Sequence, residues 1–445
     1  LTRAGGSTRS SLRRSAAAIL QAGLDAAAPG PLVRSVLASS TSLLPARGRI
    51  VLVAAGKAAG AMARAARDVL GDRLESGIVV SSERVEPLDR VRVVVAGHPL
   101  PDRRGLAAGR AVERLAEDLG RGELLLLLLS GGASALLPAP VAGVSLEDKA
   151  RVTSLLLRSG APIHELNAVR KHLSRLKGGG LARTAAPAHV LTLVLSDVVG
   201  DDLATIASGP VSPDPTTYAD AVGVLRARGL WPRTPLGARR YLEAGLRGER
   251  PETPKPGASP FRRVAVRIVG SGQLSVAAAA RAARRQGLHP FVLTTRLEGE
   301  AREVARALVA ILRERAEHTP GGRAACLLAA GETTVTVLGD GSGGRNQELV
   351  TAAAAALDGF PGAALVASLA TDGSDGRSQA AGGIADDRSA RRARALGLAP
   401  PAAFLAESDT THFLAPLGDL IVTGPTGTNV ADLVVLLAAG RGRRG

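Results

Sequence analysis

The chain has 445 residues, of which 45% are hydrophobic and 22% charged, with a net charge of +16. That length and apolar content suit the cores of two or three domains. The single cysteine, Cys326, excludes a disulfide framework or Cys-based zinc ligation and makes a reducing interior the default compartment.

The arginines of the N-terminal stretch precede Ala-rich sequence that soon meets Gln21 and Asp25. This reads as an ordinary helix and not as a signal peptide. In the first half, strands are expected at Ile50–Ala54, Gly77–Ser81, Val91–Ala96, Leu124–Leu129 and Val190–Leu195. Helical stretches lie between many of them, at Lys57–Leu70, Arg104–Leu119, Leu146–Ser159 and Glu165–Leu176. This rhythm predicts a parallel, helix-covered sheet. The run Leu124–Leu129 is strand length and ends in Ser-Gly-Gly, so no membrane span is expected. Helices at Tyr218–Arg228 and Leu236–Arg247 lead to Gly248–Pro260, dense in proline and charge and the best linker candidate. A second α/β block follows, with strands at Val264–Val269, Pro290–Thr294, Ala324–Ala329, Thr333–Leu338, Ala364–Leu369 and Leu420–Val422. Gly331-Glu332 reads as the turn of a hairpin joining Ala324–Ala329 to Thr333–Leu338, so this sheet should be mixed. The C-terminal Arg441–Gly445 reads as a frayed tail. Net charge raises nucleic acid as a partner, but the arginines are dispersed and only 2% of residues are aromatic. Stacking platforms are therefore missing, and a solvated basic surface is expected instead.

Only five lysines and three asparagines occur, and six of these eight fall in a few glycine-rich segments. In so Arg-rich a chain, each that persists is a candidate for specific chemistry. Gly56-Lys57 joins a strand to a helix, where a cation beside free amides can meet phosphate. It is not a Walker A loop, because the spacer and the following Ser/Thr are missing. Ser130-Gly131-Gly132-Ala133-Ser134 lets backbone approach an anion and offers hydroxyl donors. Asn167, Arg170 and Lys171 fall within one helical turn, with Asn167 and Lys171 four apart on one face; a plain basic surface fits them equally. Asp197 ends a strand and suits Mg²⁺ bound with a nucleotide, whereas Asp201 and Asp202 also fit as helix caps. Gly343-Gly344-Arg345-Asn346 is an anion-nest candidate with a fixed guanidinium fork. Asp372, Thr426 and Asn429 lie in two further loops that follow strands.

Together these strings resemble the class II glycerate kinases with a MOFRL-type C-terminal domain. The matching strings are Gly56–Ala59, Gly97–Asp102, Ser130–Ser134, Asn167–Leu173, Ser196–Pro210, Gly343–Glu348, Thr371–Gly376 and Leu417–Asn429, in family order. The resemblance implies two α/β/α domains: a Rossmann-like one with a parallel sheet over 1–250, and a smaller one with a mixed sheet over 260–445. It implies ATP and D-glycerate in a cleft, and Mg²⁺-dependent transfer of the γ-phosphate to the 2-hydroxyl. The family's basic residues match Lys57 and Arg345. Gly270-Ser271-Gly272-Gln273 departs from the family pattern, which has an asparagine there.

On this reading Lys57 and Arg345 neutralise phosphate charge, and Asp197 and Asp372 serve Mg²⁺ or take the hydroxyl proton. Gly56, the Ser130, Gly131, Gly132 and Ser134 loop, Asn167, Arg170 and Lys171 hold the glycerate carboxylate or a phosphate. Gly343, Gly344, Asn346, Asp372, Thr426 and Asn429 complete the ATP and substrate contacts. The expected protein is a cytoplasmic monomer or homodimer that binds neither nucleic acid nor membrane. The rival is a hydroxypyruvate reductase. Against it, no strand–GxGxxG–helix is followed by an acidic residue at the dinucleotide-binding distance.

Overall fold

Six consecutive buried leucines, Leu124–Leu129, form the central strand of one sheet. Such continuous apolar sequence fits a strand covered on both faces. The computed structural model describes residues 2–39, 43–319 and 324–439; the run 441–445 lies outside them. The elements begin with α1 (Thr2–Ala26), α2 (Pro29–Ser39), β1 (Ile50–Ala55), α3 (Ala59–Leu70), β2 (Leu74–Ser81), β3 (Val91–Val95) and α4 (Arg103–Glu117). Then come β4 (Leu124–Leu129), α5 (Ala133–Leu136), α6 (Leu146–Arg158), α7 (Ile163–His172), α8 (Gly180–Ala185), β5 (His189–Leu195), α9 (Tyr218–Ala227), α10 (Leu236–Leu246) and β6 (Val264–Gly270).

These strands form a sheet in the order β3-β2-β1-β4-β5-β6. The pairs β1–β2, β2–β3, β1–β4 and β4–β5 are parallel. Helix starts follow local chemistry. Asp102 caps α4 by accepting from Gly105 N at 2.8 Å. Ser145 with Asp148, and Thr217 with Asp220, make capping boxes for α6 and α9.

The chain continues with α11 (Gly272–Arg285), β7 (His289–Leu297), α12 (Ala301–Glu317), β8 (Ala325–Gly331), α13 (Arg345–Ala356), β9 (Ala364–Ala370) and β10 (Gly382–Asp386). It closes with α14 (Ser389–Ala395), α15 (Pro401–Ala406), α16 (Thr410–Leu414), β11 (Leu420–Ile421) and β12 (Asp432–Ala438). The second sheet runs β11-β10-β9-β12-β8-β7. It is mixed, since β7–β8 is parallel and β12 runs antiparallel to both β8 and β9. Ser271 caps α11 through Leu274 N, so the position without the family's asparagine still does local work.

Three expectations change. The chain divides into Pro29–Val269 and a second unit made of Leu1–Ala28 with Gly270–Gly445, not at 250–260. Helix α1 belongs to the second unit because its apolar stripe, Leu12, Ala16, Ile19, Leu20 and Leu24, is buried with α11 and β12 side chains. The proline-rich 248–260 stretch is no free linker. Asp214 N donates to Pro254 O at 2.9 Å, and Thr253 Oγ1 to Asp214 Oδ2 at 3.0 Å, so it is fastened to its own unit. The hairpin after β8 is also absent. Gly331 has φ +154°, and a Cβ there would collide with Leu297. The chain that follows instead bonds to the β7–α12 loop, with Glu332 N to Leu297 O at 2.8 Å and Thr334 N to Gly299 O at 2.9 Å. The sheet is mixed through β12 and β10, strands the sequence reading lacked. Among the described residues no single helix is long and apolar enough to cross a membrane.

Candidate active site

Parallel sheets bind ligands beyond the carboxyl ends of strands where the strand order reverses. In the first unit that place is between β1 and β4, because β2 and β3 build outward on one side and β5 on the other. The loops that follow β1 and β4 are Gly56-Lys57 and Ser130–Gly132, and they are bonded together. Lys57 N donates to Gly131 O at 2.9 Å, and Ala58 N to Ser130 Oγ at 3.0 Å. Gly56 has φ +126°, and a Cβ there would run into Ser130; only glycine lets the loops close in this way. Lys57, half-buried, is thereby held just ahead of Ala58, the N-cap of α3.

The other end of the Ser130–Ser134 loop meets α7. Ser134 Oγ accepts from Arg170 Nη2 at 2.5 Å and from Lys177 Nζ at 2.7 Å, and lies 3.0 Å from Ser208 Oγ. Ser208 Oγ donates to Asn167 Oδ1 at 3.1 Å. The other half of that amide, Asn167 Nδ2, is buried with no partner. Lys177 Nζ also donates to Ser134 O at 2.9 Å. Among the described residues no carboxylate pairs with Arg170 or Lys177. Burial lowers the basicity of the Arg170 guanidinium. Burial, then the charges of Arg170 and Lys149, hold the Lys177 amine well below the ordinary lysine range. A guanidinium with no carboxylate partner, a buried amine and an unused amide donor together favour an anion.

Lys171 is not part of this cluster. It turns to the buried Asp214, with Nζ 3.4 Å from Oδ1. The expected pairing of Asn167 with Lys171 is replaced by Asn167 with Arg170, three residues on. The lysine that completes the cluster is Lys177, which the sequence marked by its rarity but gave no role. Ser208 lay within the Ser196–Pro210 string but was given no role.

Asp197 sits half-buried just beyond β5. Asp202 accepts from Ala204 N at 3.1 Å and Thr205 Oγ1 at 2.6 Å, a local turn role. Among the described residues no three His, Cys, Asp or Glu side chains converge as a metal cage.

In the second unit, Gly344 is the N-cap of α13. The nest there already has a resident anion: Asp375 accepts from Asn346 N at 3.1 Å, Gln347 N at 2.8 Å and Gln347 Nε2 at 3.1 Å. Asn346 is core, 1% exposed, and its Oδ1 accepts from Ser368 Oγ at 2.5 Å. Arg345 forks onto Asp432, with Nε to Oδ2 at 2.6 Å and Nη2 to Oδ1 at 2.9 Å, while Nη1 reaches Glu332 Oε1 at 2.6 Å. Burial opposes its charge, but the Asp432 bond and charge outweigh this and keep it protonated. Asp372 Oδ1 accepts from Ser374 N at 3.0 Å, and Thr426 Oγ1 donates to Thr371 O at 2.5 Å. Asn429 is buried at 8% exposure. Neither Asp375 nor Asp432 was picked out from sequence.

Family models match twice: a domain of unknown function, DUF4147, over residues 15–243, and the MOFRL family over 325–432. The D-glycerate 2-kinase of Thermotoga maritima is 41% identical over 428 residues, covering 96% of this chain and 98% of that protein. A protein of Agrobacterium vitis with a provisional hydroxypyruvate reductase name is 42% identical over 88% of this chain and 87% of its own length. The crystal structure of a Thermotoga maritima glycerate kinase superposes with a TM-score of 0.87 at 40% identity, over 97% of this chain and 100% of that one.

Proposed function

The chain belongs to the glycerate kinase family built from DUF4147 and MOFRL domains, and from that premise we propose that it transfers the γ-phosphate of ATP to the 2-hydroxyl of D-glycerate. The observation that carries this reading is the basic cluster beside the β1/β4 loops: Arg170 and Lys177 gather on Ser134, and the described residues supply them no carboxylate. Phosphoryl transfer needs positioning and charge neutralisation more than covalent chemistry. The Ser130–Ser134 loop has two working ends. At one, Gly56 and Lys57 face Ser130 and Gly131 and suit the phosphate chain; at the other, Ser134, Asn167 and Arg170 suit the small acid.

Mg²⁺ carried in on phosphates needs only one or two protein carboxylates, and Asp197, beyond β5 and half-buried, has the right chemistry to hold it. The ion would supply charge neutralisation at the transferring phosphoryl group. Arg345 is anchored by Asp432 through two nitrogens; its third pairs with half-exposed Glu332, a partner that an incoming phosphate can displace.

Purified protein with ATP, Mg²⁺ and D-glycerate should release ADP, and phosphorus NMR should place the phosphate on carbon 2. No ADP release, together with NADH loss on hydroxypyruvate, would replace this reading with the oxidoreductase one.

A further inference from the structure

Beside α4 the first unit holds a cavity of about 570 Å³ that the proposed reaction does not use. It is lined by Arg103 and Arg110 of α4, by the chain from Pro140 to Glu147 and by Arg175, and by none of the residues assigned to glycerate or ATP. Arg103 and Arg110 are exposed and two turns apart, so they share one face of the helix. Neither has an ion-pair partner among the described residues. The Glu147 carboxylate bonds to its own backbone and to Ser145. Glu113 holds Arg175 Nη2 at 2.7 Å. Arg175 Nε is buried with no hydrogen-bond partner, a donor that a turn of the side chain toward an anion would satisfy. The start of α6, where the helix dipole is positive, belongs to the same lining.

We propose that this cavity is a second anion site, which takes the phosphate dianion of a small phosphorylated metabolite and, when filled, weakens D-glycerate binding. Two unpaired guanidinium groups call for two negative charges, which one phosphate carries and one carboxylate does not. The volume leaves room for a small organic body beside the phosphate. The coupling rests on the glycerate reading above, and it runs through two lining segments that lead to the acid site. Pro140 pairs with Ser174 in an antiparallel bridge, and Arg175 N donates to Ala139 O at 2.9 Å. Ser134 stands just upstream of the first segment. Arg170 lies just upstream of Arg175, and Lys177 just downstream. An anion that draws Arg175 toward the cavity therefore pulls on the chain that sets Arg170 and Lys177 against Ser134. Differential affinity for the two positions of Arg175 is what lets the ligand shift the acid site.

The test is calorimetric titration of the full chain, without ATP or D-glycerate, with glycerol 3-phosphate and with inorganic phosphate. The double variant Arg103→Ala/Arg110→Ala should bind both about 10²-fold more weakly, having lost two charge-assisted contacts. Its Tm, kcat and KM without added phosphate should match the parent, because both side chains are exposed and away from the reacting groups. In initial-rate assays, saturating glycerol 3-phosphate should raise the parental KM for D-glycerate about tenfold and leave that of the double variant unmoved. Glycerol should do neither. Tighter binding of the ester than of phosphate assigns the site to a phosphorylated metabolite, and the reverse assigns it to free phosphate. If the double variant binds both ligands as the parent does, the arginines are solvated surface charge and the site is refuted. If KM rises equally in both proteins, the ester competes at the acid site and the coupling is refuted. If the chain never phosphorylates D-glycerate, the kinase reading fails while the titration still decides the second site.

Discussion

Lys149 and Lys177 are both buried in the first unit, and burial pushes both amines well below the ordinary lysine range. Unfolded, each keeps its proton up to a pKa of about 10.4. The folded chain releases it at lower pH. The stability these groups lend is thus full above the ordinary lysine value and is lost as pH falls through their depressed folded values. Lys149 donates only to Leu173 O at 3.3 Å. Lys149→Met should therefore raise Tm near neutrality and flatten the climb of Tm toward alkaline pH, as circular dichroism melts at several pH values would read. An unchanged slope would mean that Lys149 is solvated after all. For Lys57, removal of one electrostatic contact to phosphate predicts a turnover loss of about 10²–10³ in Lys57→Ala with Tm preserved. Arg345 combines both kinds of role. Arg345→Ala strands Asp432, whose side chain is 5% exposed, and should cost about 3–5 kcal/mol in denaturant titration. Arg345→Lys keeps a charge but not the fork. It should recover much of the stability while turnover stays low, whereas parental turnover in both variants would confine Arg345 to the ion pair.

At the scale of the element, α7 shows why spacing alone misassigned a residue. Positions three and four apart both lie near one another on a helix, so Asn167 could share its face with Arg170 or with Lys171. The choice was made by what stands opposite: the Ser134 loop before Arg170, and Asp214 before Lys171. The start of α13 carries a parallel lesson. A glycine-rich loop entering a helix exposes amides that attract any anion, and here the anion is Asp375 from the loop after β9. Burial pushes the Asp375 carboxyl up, against the pull of those amides. Asp375→Ala leaves several buried donors unsatisfied and should destabilise the second unit by about 1–3 kcal/mol or more. Unchanged amide-exchange protection at Asn346 and Gln347 in that variant would refute the capping role.

For the molecule as a whole, the second unit is built from both ends of the chain. Besides its apolar stripe, α1 is tied down by Arg9, whose Nη2 lies 2.6 Å from Asp387, and by Arg13, 2.6 Å from Asp386 and 2.9 Å from Asp419. These carboxylates are nearly buried, so losing the arginines costs more than the loss of an exposed pair would. Removing residues 1–28 should lower the melting transition of the second unit and leave that of the first in place, as calorimetry can separate. A single unshifted transition would show that α1 adds nothing to that core.

Much of this protein is legible in the order of its residues. The strand and helix periods, the six-leucine run, the capping residues and the glycine-flanked lysine are local features, and local sterics and hydrogen bonding act through neighbours in sequence. They sufficed for the α/β class, for most elements of the first sheet, and for the family resemblance that rests on the strings. The partners of charged side chains were not legible. Which cation meets Ser134, which carboxylate fills the α13 nest, where Arg345 points and to which unit α1 belongs all join residues from tens to hundreds of positions apart. Burial sets their energies, because a charge left unpaired in the interior costs far more than the same charge in water, and burial exists only once the chain has folded.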